Sequence, residues 1–387
     1  MKQIYLDNAA TTKIDEKVVK AMLPYLKDDY GNASSQHLLG RKAKEAIENS
    51  RKIIAKSINS ETEEIIFTSG GTESNNLALK GLFFWHKENK TGKNHIITTK
   101  IEHDSILNVC KWLEKEGVEV TYLNVDKEGL IDLNELRNAI KENTFLVSAI
   151  NGNNEIGTLQ DINEIGKICK ENNVAFHIDA CQSYTKTKLD VVKQNISLMT
   201  INSHKIHGPK GVGALYRKKE VSLIPLFHGG GHEKGMRSGT ENVASIVGFG
   251  EAVKITDIKN SKNIGKIRDY AIKKMLEINK TKLNGPSGKN IGKRLCNNIN
   301  ISFSNIEGEA IAKLVEEKRI MISTGSACAS NTLKKSHVLR AIGLNDLEIN
   351  SSVRISLSKF TTKKEIDYFV KELKIAVEKL RKMSPYA

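Results

Sequence analysis

Long apolar runs, paired cysteines, aromatic residues and low-complexity tracts are scarce in this 387-residue chain, and each shortage excludes something. No apolar run approaches the roughly 18 residues a membrane helix needs. The opening stretch "MKQIYLDNAATT" has no apolar segment of the kind that drives secretion. A cytoplasmic protein without a membrane partner is expected. The five cysteines (Cys110, Cys169, Cys181, Cys296 and Cys328) are too few and too scattered for a disulfide framework, and no CxxC pair offers a metal clip. Free thiols fit a reducing compartment. Most of these cysteines read as buried fillers, which leaves room for one reactive thiol. Aromatics make up only 5% of the chain, few for platforms on which bases stack. The net charge of +15 therefore does not point to nucleic acid. Lysines run along the whole chain among glutamates, as in "KKEIDYFVKELKIAVEKLRKM", and describe a solvated basic surface.

Hydrophobic residues at 39% and charged residues at 27% are ordinary for a globular protein. From residue 65 to 216, short β-rich runs alternate with amphipathic stretches. The strand candidates are "EIIFTS", "HIITT", "VEVTYL", "TFLVSAI", "VAFHID", "SLMTI" and "GALYR", with helices expected over 74–88, 104–116, 132–142 and 161–172 between them. Such alternation specifies an α/β fold with a mostly parallel seven-stranded sheet covered on both faces. After about residue 255 the pattern changes to a smaller α+β unit. It has a long Lys/Ile helix, the strand "NNINISF", a helix at 307–317, the loop "STGSACASN" and a final helix. In that last helix Thr362 and Glu365 have capping-box spacing. We expect a large domain over 15–255 and a small domain made of 1–14 and 256–387.

Four features fall at or near the carboxyl ends of predicted strands, where open parallel sheets bind ligands. In "FTSGGTESNN" a strand ends, Gly70 and Gly71 turn, and Thr72 opens a helix whose free amides suit a phosphate. By itself such a turn is a weak signal, and it matches neither GxGxxG nor the P-loop. In "HIDACQS", Asp179 ends a buried strand, where it could cap the next helix or hold a heteroaromatic nitrogen protonated. In "INSHKIHGPKGVG", Lys205 follows the strand directly and is placed for a Schiff base, whereas Lys210 lies beyond a proline. No acidic or cysteine residue joins His204 and His207 at a metal-ligand spacing, so no resident metal is expected. In "STGSACASN", Cys328 is set among small residues in a loop, unlike the other four cysteines, which are expected within helical or strand runs. That setting favours a reactive thiol. A phosphate cup, a ring-nitrogen carboxylate and a Schiff-base lysine in this order describe a site for pyridoxal phosphate.

With these motifs the chain resembles the cysteine desulfurases of the NifS/IscS-like type, on the class V aminotransferase fold (fold type I of the pyridoxal-phosphate enzymes). The resemblance runs through "YLDNAATT", "YGNASSQH", "TSGGTESNN", "EH" at 102–103, "NNEIG", "HIDACQS", "SHKIHGPKG", "GGGHEKGMRSGT", "STGSACAS" and "SHVLRAIGL". It implies that Lys205 carries the cofactor, Asp179 pairs with the pyridinium nitrogen and Gln182 contacts the phenolic oxygen. It further implies that His103 stacks on the ring and shuttles protons. Gly71, Thr72, Ser203 and His204 match phosphate-binding positions, and Thr240 in "RSGT" matches a residue reaching a neighbour's phosphate, so a homodimer is implied. Asn154 matches a ring or substrate contact, and Arg354 an arginine gripping the substrate carboxylate with its two-pronged guanidinium.

The implied reaction converts L-cysteine to L-alanine and leaves a persulfide on Cys328. That sulfur would be donated for iron–sulfur assembly or tRNA thiolation, and Cys328 could briefly ligate a nascent cluster. The chain departs from the pattern at Asn202, where several relatives carry serine, and at Cys181, where a small or aliphatic residue is usual. It ends at "RKMSPYA", short of the extension with which cluster-assembly members hold their scaffold, which bears on the partner and not on the chemistry. Competing readings are a selenocysteine lyase, another lyase or transaminase on this fold, and a non-catalytic partner protein. The last should have lost Lys205, Asp179 or Cys328, and all three are present.

Overall fold

A computed structural model describes residues 3–256, 258–324 and 335–384. Among these the strands are β1 (Ile4–Tyr5), β2 (Ile65–Thr68), β3 (His95–Thr99), β4 (Glu119–Leu123), β5 (Thr144–Ile150), β6 (Ala175–Asp179), β7 (Leu198–Asn202), β8 (Gly213–Arg217), β9 (Thr281–Leu283), β10 (Asn298–Phe303), β11 (Ile320–Met321) and β12 (Ser352–Ser356). The seven runs expected as strands all enter one sheet, in the order β2-β8-β7-β6-β5-β3-β4. Only β8 runs against its neighbours β2 and β7; the other pairings are parallel.

Burial follows position in that sheet. Every residue of β5 and of β7 is buried, because helices cover both faces of a central parallel strand. The edge strand β4 exposes Glu119 and half-buries Val120, Thr121 and Tyr122. The strand order also creates a switch point. From β3 the chain first moves outward to β4, then returns to the other side of β3 as β5 and continues through β6 to β7. A crevice therefore opens between the carboxyl ends of β3 and β5, the place where such sheets receive ligands.

The expected helices form as Gly71–Glu88, Asp104–Lys115, Leu133–Ala139 and Ile162–Glu171. The third stops short of 142 because Ile140 is already extended. Near the chain end, Thr362 and Glu365 form the capping box of the helix Lys363–Met383. This helix packs its Ile366, Phe369, Leu373 and Val377 into a second apolar core with Ile4, Leu6, Met275, Ile299, Phe303 and Val353. In that part β10 lies between β12 and β9, antiparallel to both.

The N-terminal segment joins the two cores. Strand β1 pairs with β11, Leu6 lies in the second core, and Thr12 bonds the His204 carbonyl through both its amide and its hydroxyl. Two cysteines differ from expectation. Cys110 and Cys169 lie in helices, but Cys181 and Cys296 lie in turns after β6 and before β10, where the chain reverses. Cys110, Cys169 and Cys181 are buried and Cys296 is half-buried.

Candidate active site

The phosphate cup starts at the end of β2. Gly70 takes φ 153° and ψ −176°, a conformation only glycine accepts readily, and the next residue begins the helix Gly71–Glu88 with no side chain capping it. A Cβ on Gly71 would lie 2.7 Å from Cys181 Sγ, so glycine is also required there for space. This close approach explains what Cys181 does: it packs beneath the cup. Gly71 is half-buried and Thr72 is exposed at the cup's mouth. Across from them, after β7, Ser203 Oγ is buried without a hydrogen-bond partner, and so is Asn202 Oδ1. Uncapped amides at a helix N-terminus and an orphaned buried hydroxyl fit a bound phosphate monoester, so this chain can hold the cofactor implied by its motifs.

Asp179 ends β6 and is buried. Its Oδ1 accepts the Cys181 N–H at 2.9 Å and its Oδ2 accepts from Asn75 Nδ2 at 2.9 Å. Burial alone would raise its pKa. The charge that His103 carries when it is protonated and these hydrogen bonds outweigh burial and bring it below the usual carboxylate value. It is therefore a carboxylate at neutral pH, as holding a ring nitrogen protonated requires.

Lys205 lies in the turn after β7 and is half-buried, while Lys210 is exposed. Lys205 lines a cavity of about 100 Å³ together with Ala9, Ala10, His103, Asn154 and Arg354. Residues from five distant stretches of chain thus meet at the switch point. His204, next to Lys205, bonds Thr11 Oγ1 at 3.2 Å, and burial together with the charges of Lys205 and Lys210 lowers its pKa to about 4. Behind Lys205, Lys186 Nζ donates to the carbonyls of Gln182 (2.7 Å) and Lys205 (3.3 Å), with its pKa lowered to about 8 by burial. Gln182 gives its own amide nitrogen to the Ala9 carbonyl at 2.8 Å and so ties the N-terminal segment to the cavity floor.

His103 caps the helix Asp104–Lys115, its Nδ1 accepting the Ser105 N–H at 3.1 Å. Burial and the nearby Lys205 lower its pKa. On the opposite wall Arg354 of β12 is buried. Its guanidinium donates to Asp7 Oδ1 at 2.9 Å and to the Asn154 carbonyl at 3.2 Å, and its Nε has no partner. Asn154 is half-buried beside it. Thr240 lies away from this cavity, exposed on the rim of a cleft of about 190 Å³ that also includes Ser69, Glu233 and Arg237. The segment bearing Thr240 is fastened by Glu233, whose carboxylate forks onto buried Arg51 (2.7 and 2.8 Å) and accepts the Phe67 N–H at 2.8 Å. Cys328 lies outside the described residues.

Several cavity groups escaped sequence reading. Glu102 is wholly buried, accepting the Thr99 hydroxyl (2.6 Å) and the Ile150 N–H (2.8 Å) on Oε1. Glu155 accepts the Ser336 hydroxyl at 2.5 Å, and His337 Nε2 bonds the Glu102 carbonyl at 2.9 Å. The sequence signal for Glu102 is its place in "EH" at 102–103, directly before the motif histidine. Asp7, Asn75 and Ser105 carry no local signal that separates them from other turn and cap residues.

The model of the family described as aminotransferase class-V matches residues 4–369. The chain belongs to that family. A cysteine desulfurase IscS of Methanosarcina thermophila is 46% identical to it, over 99% of this chain and 94% of the relative. A solved NifS-like protein superposes with a TM-score of 0.91 at 35% identity, over 98% of this chain and all of the other. The structure of SspA in complex with cysteine gives 0.82 at 38% identity, over 93% of this chain and all of the other. The mostly parallel seven-stranded sheet is thus that of fold type I.

Proposed function

We propose that the Lys205 cavity splits L-cysteine into L-alanine and a sulfur atom that is retained as a persulfide on Cys328. The chain is a pyridoxal-phosphate-dependent cysteine desulfurase, as its family and its full-length relatives make it. The observation that carries the residue assignment is the convergence of Lys205, His103, Asn154 and Arg354 on one cavity at the sheet's switch point.

Bound pyridoxal phosphate would supply an electron sink for the substrate carbon next to its amine. The chain's own groups do the rest. The cup at Gly71 and Thr72, with Ser203 and His204, would hold the phosphate, and Asp179 would keep a proton on the ring nitrogen. Arg354 receives the substrate carboxylate on a guanidinium already oriented by Asp7 and Asn154. Lys205 Nζ, the one amine on the cavity wall among the described residues, takes and returns the proton at the substrate carbon. The Cys328 thiolate attacks the substrate sulfur, the C–S bond breaks with its electrons going to carbon, and protonation gives alanine.

In this reading residues 15–255 carry the cofactor, and 1–14 with 256–387 supply the arginine and the thiol. Two chains pair so that Thr240 of one reaches the cofactor phosphate of the other. The protein works in the cytoplasm and passes its sulfur to an acceptor protein of the iron–sulfur scaffold kind. Mass spectrometry after incubation with cysteine tests the central step. One added sulfur is expected on Cys328, and Cys328→Ser should bind the cofactor yet release no alanine. Normal alanine release by that variant would overturn the thiol's role.

A further inference from the structure

Two buried residues outside this scheme connect Asp179 to His103. Asn75 is wholly buried, and its Nδ2 lies 2.9 Å from Asp179 Oδ2 and 2.8 Å from Ser105 Oγ. Charge decides which end of the amide faces them, because an amide oxygen turned to the Asp179 carboxylate would set two electron-rich atoms together. Both amide hydrogens are therefore donated, which leaves Asn75 Oδ1 buried without a partner. The Ser105 hydroxyl accepts from Asn75 and keeps its own hydrogen to give. Its acceptor is His103 Nδ1 at 2.8 Å. The same nitrogen accepts the Ser105 N–H at 3.1 Å. With two donors aimed at Nδ1 there is no place for a hydrogen on it, and the ring's hydrogen belongs on Nε2.

We infer that Asn75 and Ser105 are positioning residues that lock His103 as the neutral tautomer with its hydrogen on Nε2, so that the ring meets the cavity as a hydrogen-bond donor and not as a base. An amide does not pass a proton along, so the chain of bonds sets orientation and is no proton wire. The charges around the ring agree. Lys205 and, when protonated, His337 oppose a second positive charge there, whereas Asp179 and Asp104 favour one; burial joins the opposing side and the pKa is lowered. One consequence rests on the desulfurase reading: proton removal from the substrate carbon falls to Lys205 alone. The tautomer itself does not depend on that reading.

Nitrogen-15 NMR of histidine-labelled protein, cofactor-free and loaded, reads the ring directly. In the wild type Nε2 of His103 should carry the hydrogen and Nδ1 none at neutral pH and above. Ser105→Ala should raise the ring's pKa by about one unit, the tenfold effect of one lost hydrogen bond, and Ser105→Thr should restore it. Asn75→Ala should keep the hydrogen on Nε2, because the Ser105 N–H still points at Nδ1, but should loosen the Ser105 hydroxyl and raise the ring's pKa. The activity-against-pH profile of Ser105→Ala should move in parallel with the ring. A hydrogen on Nδ1 in the wild type, a charged ring at neutral pH, or an unmoved titration in Ser105→Ala would each overturn the lock. The wild-type spectrum decides even if a variant fails to fold. Locked His103 without alanine release would count against the desulfurase reading alone.

Discussion

Two carboxyl groups flank β5 in the same site: Asp179 at the end of β6, and Glu102 in the turn after β3. Both are buried, yet they are held in opposite charge states. Asp179 has a donor on each oxygen, and these, with the charge His103 carries when it is protonated, outweigh burial. Glu102 receives both of its donors on Oε1 and leaves Oε2 without a partner. Burial, with the negative charge of Asp179 adding to it, raises its pKa to about 8. Depth alone does not ionise or neutralise a group; the number and sign of its partners do. The difference suits the site, since a second carboxylate on the wall would oppose an anionic substrate.

The strongest test of this contrast is at Asp179. Asp179→Ala removes the carboxylate and strands the Asn75 amide, and kcat/KM for cysteine should fall by about a thousandfold, the scale of a lost, preorganised electrostatic partner. Steady-state kinetics at saturating cofactor measures it. Glu102→Ala should act on stability instead, since it leaves a cavity and two unpaired donors, at a cost of roughly 2–3 kcal/mol. Denaturant titration of the cofactor-free protein reads that value.

The mildest change is Glu102→Gln, which keeps the shape and fixes the neutral state. The folded-state pKa of Glu102 lies above its ordinary 4.5. Its contribution to stability is therefore whole below about pH 4.5 and is lost as pH rises through about 8. Melting temperatures taken from about pH 5 to about pH 9 should decline in the wild type and decline less in Glu102→Gln. Equal slopes would mean that Glu102 is already ionised at neutral pH, and the contrast with Asp179 would disappear.

The strands were legible because their apolar runs are short and bounded by turns, and all seven enter the large sheet within a residue or two of their expected ends. Lys205 could be told from Lys210 by its place after β7, and the structure half-buries the first and exposes the second. Cys181 and Cys296 were misplaced in regular structure, because a cysteine in an apolar neighbourhood looks the same in a strand and in a buried turn. The motif at Arg354 carries no sign of Asp7, remote in sequence, which the structure places within hydrogen-bond distance of its guanidinium.

Local chemistry, written in consecutive residues, determined the strand and helix alternation, the glycine turn of the phosphate cup, the capping box at Thr362 and the order of the cofactor motifs. The tertiary structure alone decided the rest. Bringing the carboxyl ends of β3 and β5 apart at the switch point sets His103, Asn154, Lys205 and Arg354 around one cavity. Packing aims Asn75 at both Asp179 and Ser105, and it denies Glu102 the second set of donors that Asp179 has. Charge state and tautomer depend on which groups lie within a few ångströms after burial, and those neighbours come from stretches of chain that no local pattern connects.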